Sequence, residues 1–493
     1  MFAAIIESTM NIMQPMNLIT LILGTVLGFF GGATPGISGT MMVVVFLPIT
    51  YGMDSDVAFL LLTSIYSSSV FSGSISAILF RTPGAPEAVC TTLDGYPMAQ
   101  KGKTGEALGY AVMCSAIGGL IGAIILLFTA PILAEFALEF GSPEYFALAV
   151  MGLSVVSSLS GKSISKGLIG AAFGLFLATV GIDSITGVQR FTFGVNRLMS
   201  GIDFIPILIG LFAVSEVLRK FQEKAKKIEG KKVKTKYPNL ADLLRIKGTI
   251  IKSALMGTFI GILPGVGATT ASMLSYSEAV RSSKHPELFG TGIPEGIAAP
   301  ETANNAAANG AMVPLIALGI PGSATTAVIL GAFILHGIQP GPLMISQQPV
   351  LVYTIFIGLI LVNFFILLLS KPFVGVFSKI LNVPYSVMGT LIGLLCIIGT
   401  YAVRNSMLDV WIMLIFGVLG YFMEKVNFST APIVLGIVLG SLAEEELRRS
   451  LVISGGDISI FFTRPISLTL LVLAVVGIIT PYYRNYKMRK TAA

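Results

Sequence analysis

The sequence predicts an all-α polytopic membrane protein: two inverted repeats with discontinuous helices and re-entrant hairpins, followed by an extra C-terminal helix. Three observations lead there. Of 493 residues, 54% are hydrophobic and 12% charged, with a mean hydropathy of +0.85, so most of the surface faces lipid. Apolar runs approaching the roughly 20 residues of a helical span recur about a dozen times. Several are interrupted by Pro-Gly, at matching places in two halves of the chain.

Taken in order, the N-terminal stretch MFAAIIESTMNIMQPMN has no basic n-region and no small-residue cleavage site, so the first span is expected to stay in the membrane. Next comes GATPGISGT (residues 32–40), which sets Pro35, Gly36, Ser38 and Gly39 between LITLILGTVLGFFG and MMVVVFLPI. The pattern returns in GILPGVGATTA (residues 261–271), with Pro264 and Gly265. A second pair of landmarks follows: Pro83-Gly84 in SGSISAILFRTPGAPEA and Pro321-Gly322 in GAMVPLIALGIPGSATTA. A third closes each half, where residues 203–220 match 430–449, with Pro206 opposite Pro432 and Gly210 opposite Gly436. Three landmarks in one order divide the chain into a first repeat (1–220), a linker (221–248), a second repeat (249–449) and a terminal helix with its tail (450–493).

Charge orients the repeats. The linker stretch RKFQEKAKKIEGKKVKTKY and the tail YYRNYKMRK are basic, which places both on the cytoplasmic side, whereas no Lys or Arg precedes Arg81. An outside N-terminus, an odd number of crossings per repeat and one returning helix satisfy this pattern. The net charge of +7 is therefore read as a topology signal and not as a nucleic-acid footprint. Three dispersed cysteines and two histidines supply no disulfide framework, zinc cage or haem ligation, so no cofactor is expected.

Broken helices repeated in inverted order point to a secondary transporter, with substrate and coupling ion held where the breaks meet. Pro35, Pro83, Pro264 and Pro321 are the helix breaks, with Gly36 and Gly265 free to adopt the backbone angles a break needs. Freed N–H groups attract anions, and Ser38, Gly39, Thr40, Thr269, Thr270, Gly84, Gly322 and Ser323 lie close enough to join a substrate site. Freed carbonyls at Gly36 and Gly265 are candidates for a coupling sodium ion. Between the second break and its Pro-Gly runs GTGIPEGIAAPETANNAAANG, whose Asn304 and Asn305 are the leading candidates for a substrate or ion contact. Two readings of Glu301 stay open: a carboxylate for a proton or cation, or the anionic cap of a helix. Arg81 likewise either clamps a carboxylate or reaches the interface. Asp94-Gly95-Tyr96-Pro97 reads as a tight turn with a folding and gating role.

These blocks carry a resemblance. PGISGT with LPIT, PGAPEAVCTTLDGYPMAQKG, ILPGVGATTA, PEGIAAPETANNAAANGAMVPLIALGIPGS and HGIQPGP are similar to the large membrane subunit of the tripartite tricarboxylate transporters, the TctA-like family. The resemblance runs from about residue 20 to about 465 and implies a bacterial inner-membrane permease, for which the broken helices lead us to expect an elevator-type mechanism. It further implies a small four-helix membrane subunit and a periplasmic solute-binding protein as partners, and carboxylate uptake driven by a cation gradient. Arg81 departs from the small or amide residue expected before that Pro-Gly. A homodimer is one assembly the sequence leaves open.

Two rivals belong to other classes. Gly36-Ile37-Ser38-Gly39 fits the GxSG pattern of intramembrane serine proteases, with His336 as a base, but the second break has no equivalent serine. A passive anion channel would use the same backbone without a coupling ion.

Overall fold

The computed structural model describes residues 2–34, 37–154, 164–183, 186–222, 235–380, 385–476 and 479. Pro35 and Gly36, most of the basic linker and the C-terminal tail lie outside the described residues. The protein is helical almost throughout, with one two-stranded ribbon pairing Gly181–Ile182 with Gln189–Arg190. Six helices among the described residues have the length and hydropathy to cross a membrane, against the dozen or so apolar runs of the sequence. The chain is a multi-pass membrane protein. Shorter apolar helices, Gly39–Thr50 and Ala324–Leu335 among them, account for other runs.

Two compact units form, and each draws chain from both halves: residues 1–134 with 216–405, and residues 135–215 with 406–493. In the larger unit α1 (Phe2–Ile12) and α2 (Pro15–Ala33) are followed by α3 (Gly39–Phe46), which runs back along α2, and by α4 (Ser55–Phe80). Helices α2 and α4 run in the same direction with matching steps. Gly24 lies against Leu61 and Ser64, Gly28 against Ile65 and Ser68, and Gly32 against Ser69 and Ser72. Each of these glycines touches backbone or Cβ atoms that leave no room for a side chain, so the helices meet at their closest approach. On the return arm Met42 meets Gly31, and Asn11 Nδ2 donates to Asp56 Oδ2 at 2.6 Å. The chain thus regains the end from which α2 started.

The second half repeats this plan. Helix α5 (Thr91–Met98) and the long α6 (Thr104–Ala137) close the first half's share of the unit, and then α7 (Lys247–Ile262) and α8 (Gly267–Ser282) form a hairpin. Ser275 Oγ donates to Ser253 Oγ at 2.8 Å, and Lys252 pairs with Glu278, so α8 doubles back along α7. Gly265 and Gly267 adopt φ of +73° and +72°, the left-handed region in which a glycine reverses the chain without strain. Pro264-Gly265, the expected break between two helices, lies at a reversal of the chain. Laid parallel to α7 is α9 (Pro294–Gly310), with Gly257 against Ala303 and Gly261 against Ala307. Beyond it come α10 (Met312–Leu318), α11 (Ala324–Leu335), α12 (Pro349–Ile380) and α13 (Tyr385–Arg404).

One local expectation is corrected. Asp94-Gly95-Tyr96-Pro97 forms the body of α5 and not a tight turn; Pro97 sits in its last turn, and the chain bends five residues later at Gly102, with φ of +79°.

In the smaller unit the third pair of landmarks does its packing. Gly174 and Gly436 meet between helices Ile164–Ala178 and Ala431–Ile453, and Gly210 fits against Met413 and Gly417 of Met407–Lys425. A charged cluster fastens the ribbon: Asp183 Oδ2 takes Arg448 at 2.6 Å and Arg190 at 3.2 Å, and Arg190 also reaches Glu444 at 2.6 Å.

Gly261→Val is expected to lower thermal stability by about 1–3 kcal/mol through overpacking, because its Cβ would press on the Ala307 backbone. Gly248→Ala, with nothing within 4 Å of its Cβ position, should melt within about 0.5 kcal/mol of the parent. Thermal unfolding in detergent compares the two.

Candidate functional site

Helix α9 carries the candidate residues Glu301, Asn304 and Asn305 in the larger unit. Every residue from Gly296 to Gly310 is buried, which eight alanines and glycines between them allow only by close contact with neighbouring helices. Gly118 of α6 lies on the backbone of Thr302, and Gly122 on that of Ala306. Held in this packing, the Glu301 carboxylate accepts hydrogen bonds from the hydroxyl of Thr91 on α5 and from Ser115 Oγ on α6, the latter at 2.8 Å. Among the described residues it forms no ion pair with a lysine or arginine. Asn305 Nδ2 donates to Asn304 Oδ1 at 2.8 Å and to the Glu301 carbonyl at 3.3 Å. Asn304 Nδ2 in turn lies 3.4 Å from the carbonyl of Glu87, and Asn309 Nδ2 donates to the Gly119 carbonyl at 2.7 Å.

The Pro-Gly landmarks gather on the same unit. At the first tip Ser38 caps α3, its Oγ accepting the Met41 N–H at 3.1 Å, and Gly39 packs on the Ser69 side chain. At the second Pro-Gly of the other half Ser323 caps α11 with a capping box shared with Thr326. These two helix starts touch each other: Thr40 Oγ1 and Thr325 Oγ1 are 2.6 Å apart. Within each half the Pro-Gly closes on the hairpin tip. Gly265 N–H donates to the Gly322 carbonyl at 2.8 Å, and Gly84 presses on the Gly32 carbonyl while its own N–H donates to Gly73 at 3.2 Å. Tyr66, buried on α4, lies near Ser323 and Glu87.

The remaining sequence candidates take varied places. Pro321, Gly322, Gly84 and Gly265 are buried, Pro83 and Pro264 half-buried, and Thr269 and Thr270 stand half-buried in the first turn of α8. Arg81 is exposed; it ends α4 in a left-handed conformation, φ +54°, and its guanidinium lies 5.8 Å from the centre of the Tyr96 ring. His336 Nε2 is 3.3 Å from Thr50 Oγ1, and Ser38 is engaged in its cap, so the two residues of the protease reading bond other partners.

Five contributors escaped sequence reasoning: Tyr66, Glu87, Thr91, Ser115 and Thr325. A signal existed for two of them. Glu87 stands four residues after Pro83, and Thr325 four after Pro321, so the matched Pro-Gly pairs already aligned them. Nothing in the sequence marks Tyr66, Thr91 or Ser115, because only packing brings α4, α5 and α6 to these hairpins.

A model of the tripartite tricarboxylate transporter TctA family matches residues 18–435. The chain belongs to this family. As a TctA-family protein it is a subunit of a membrane transporter. An Agrobacterium vitis relative, described as an uncharacterized 52.8 kDa protein in the TAR-I ttuC' 3' region, is 40% identical over 468 residues, covering 95% of this chain and 93% of its own. A second from the same organism, an uncharacterized protein in the TAR-II ttuC' 3' region, is 44% identical over 223 residues, or 45% of this chain and 92% of its own. No solved structure matches.

Replacing Thr40 and Thr325 by valine, singly and together, should give a coupling energy of about 1 kcal/mol in a double-mutant cycle on thermal stability. A coupling near zero would mean that the two helix starts do not hold each other.

Proposed function

We propose that this TctA-family chain imports a di- or tricarboxylate, or a related organic anion, by cation symport with sodium as the coupling ion. The observation that carries the reading is the meeting of two capped helix starts at Thr40 and Thr325, in the same compact unit as buried Glu301, Asn304 and Asn305. N-terminal N–H groups and hydroxyls suit a carboxylate, whereas a buried carboxylate held by hydroxyls suits the positive charge that must accompany it. A multiply charged anion crosses a low-dielectric region only with its charge offset, and a co-bound cation offsets it. Proton coupling through Glu301 would meet the same need.

In this proposal the halves are inverted repeats. Support comes from α9, whose first turn at Gly296 lies on Asp94, while Gly95 lies on Ile78 near the end of α4; the two equivalent helices thus start from opposite ends. The hairpin tips and the Pro-Gly segments enclose the cargo and move as a block, in an elevator-type cycle of alternating access. A periplasmic solute-binding protein delivers the anion, a small four-helix subunit completes the membrane complex, and the complex resides in a bacterial inner membrane. The N-terminus faces the periplasm and the basic tail faces the cytoplasm.

Uptake of radiolabelled di- and tricarboxylates into proteoliposomes holding the chain with its two partners tests this. Concentrative uptake should collapse without an inward sodium gradient, and Asn304→Ala or Ser38→Ala should cut it tenfold or more. Uptake that only equilibrates, whatever the gradient, would make the chain a channel. No carboxylate uptake together with Ser38-dependent peptide cleavage would replace the transporter reading by a protease.

A further inference from the structure

Asp94 is fully buried in α5, and its carboxylate accepts four hydrogen bonds from the second half of the chain. Oδ1 takes the N–H groups of Gly292 at 2.8 Å and Ile293 at 3.1 Å; Oδ2 takes the Gly290 N–H at 3.0 Å and the Tyr276 hydroxyl at 2.8 Å. Turning these amides onto one carboxylate requires left-handed backbone, and Gly290 and Gly292 supply it, with φ of +81° and +99°. A Cβ on Gly292 would stand 2.6 Å from the Met98 N atom, and one on Gly296 would overlap the Asp94 side chain. The segment 290–296 is therefore shaped around a single carboxylate.

Its position gives the contact a purpose beyond capping. Ile293 is the N-cap residue of α9, so Asp94 pins the start of the helix that bears Glu301, Asn304 and Asn305. Thr91, one turn earlier on α5, bonds Glu301 itself. Two points on one short helix of the first half thus fix both the start and the reactive middle of α9. Tyr276 adds the returning arm of the second hairpin to the same anchor.

We infer that Asp94 is a positioning residue for transport: a tethered carboxylate, seated in the cradle of Gly290, Gly292, Ile293 and Tyr276, that sets the register of Glu301, Asn304 and Asn305 against α5 and α6. The inference rests on the reading of those three residues as the binding site. It also says what the cradle recognises, a carboxylate, so a small free one can replace the missing side chain.

The test uses the purified full chain with Asp94→Ala, Asp94→Glu and Tyr276→Phe. For Asp94→Ala, sodium formate at tens of millimolar should raise the melting temperature relative to sodium chloride, with no such rise in the parent. In the reconstituted complex KM for the carboxylate should rise tenfold or more in Asp94→Ala and about threefold in Tyr276→Phe, with Vmax changed less than threefold. Asp94→Glu should recover part of that loss. If Asp94→Ala does not fold, the KM shift of Tyr276→Phe decides alone. Unchanged KM in a folded variant, or formate acting equally on parent and variant, overturns the inference. A parent complex that transports no carboxylate overturns the proposed function instead, while the formate effect still reads the cradle.

Discussion

Every backbone amide that a protein takes out of water must find a partner, and in an apolar chain the places hardest to satisfy are those where helices stop. This structure concentrates its helix ends and then lets them satisfy one another. Ser38 and Ser323 cap the helices they precede, Gly265 donates to Gly322, and Gly84 donates to Gly73. The second hairpin tip therefore has its Pro-Gly segment as a hydrogen-bond partner, while in the first half Gly84 packs on the Gly32 carbonyl and bonds α4.

Glycine controls how near the partners come. The stripe Gly24, Gly28, Gly32 on α2 and the pair Gly257, Gly261 on α7 bring the first arm of each hairpin onto the long helix that follows it. Gly118 and Gly122 do the same for α6 against α9. Without these approaches Ser115 would not reach Glu301, because a serine side chain spans a single carbon before its oxygen. Packing by small residues is thus what converts short hydroxyl side chains into contacts between distant helices.

How much of this was legible follows from the range of each signal. Pro-Gly pairs are local chemistry, and they marked the places where helices end at Pro83, Pro264 and Pro321. Direction was not legible: Pro264 announces a break, but only the left-handed turn at Gly265 and Gly267, with the Ser253–Ser275 contact, reveals that the chain reverses. Asp94-Gly95-Tyr96-Pro97 misled because each residue favours a turn on its own, while the donors at residues 290–293 reward Asp94 for a buried helical position. Partners of Glu301 were invisible for a plainer reason. Thr91 and Ser115 are ordinary helix residues until α5 and α6 are placed beside α9.

The interleaving of the halves has a consequence for synthesis. Asp94 leaves the ribosome 196 residues before Gly290, the first of its backbone donors. At 5–20 residues per second the wait is about 10–40 s. During that interval α5 carries a carboxylate with no cradle, and α2 to α6 lack the helices that complete their unit. Until the second hairpin arrives, the first half has to keep that carboxylate solvated by means other than its final partners.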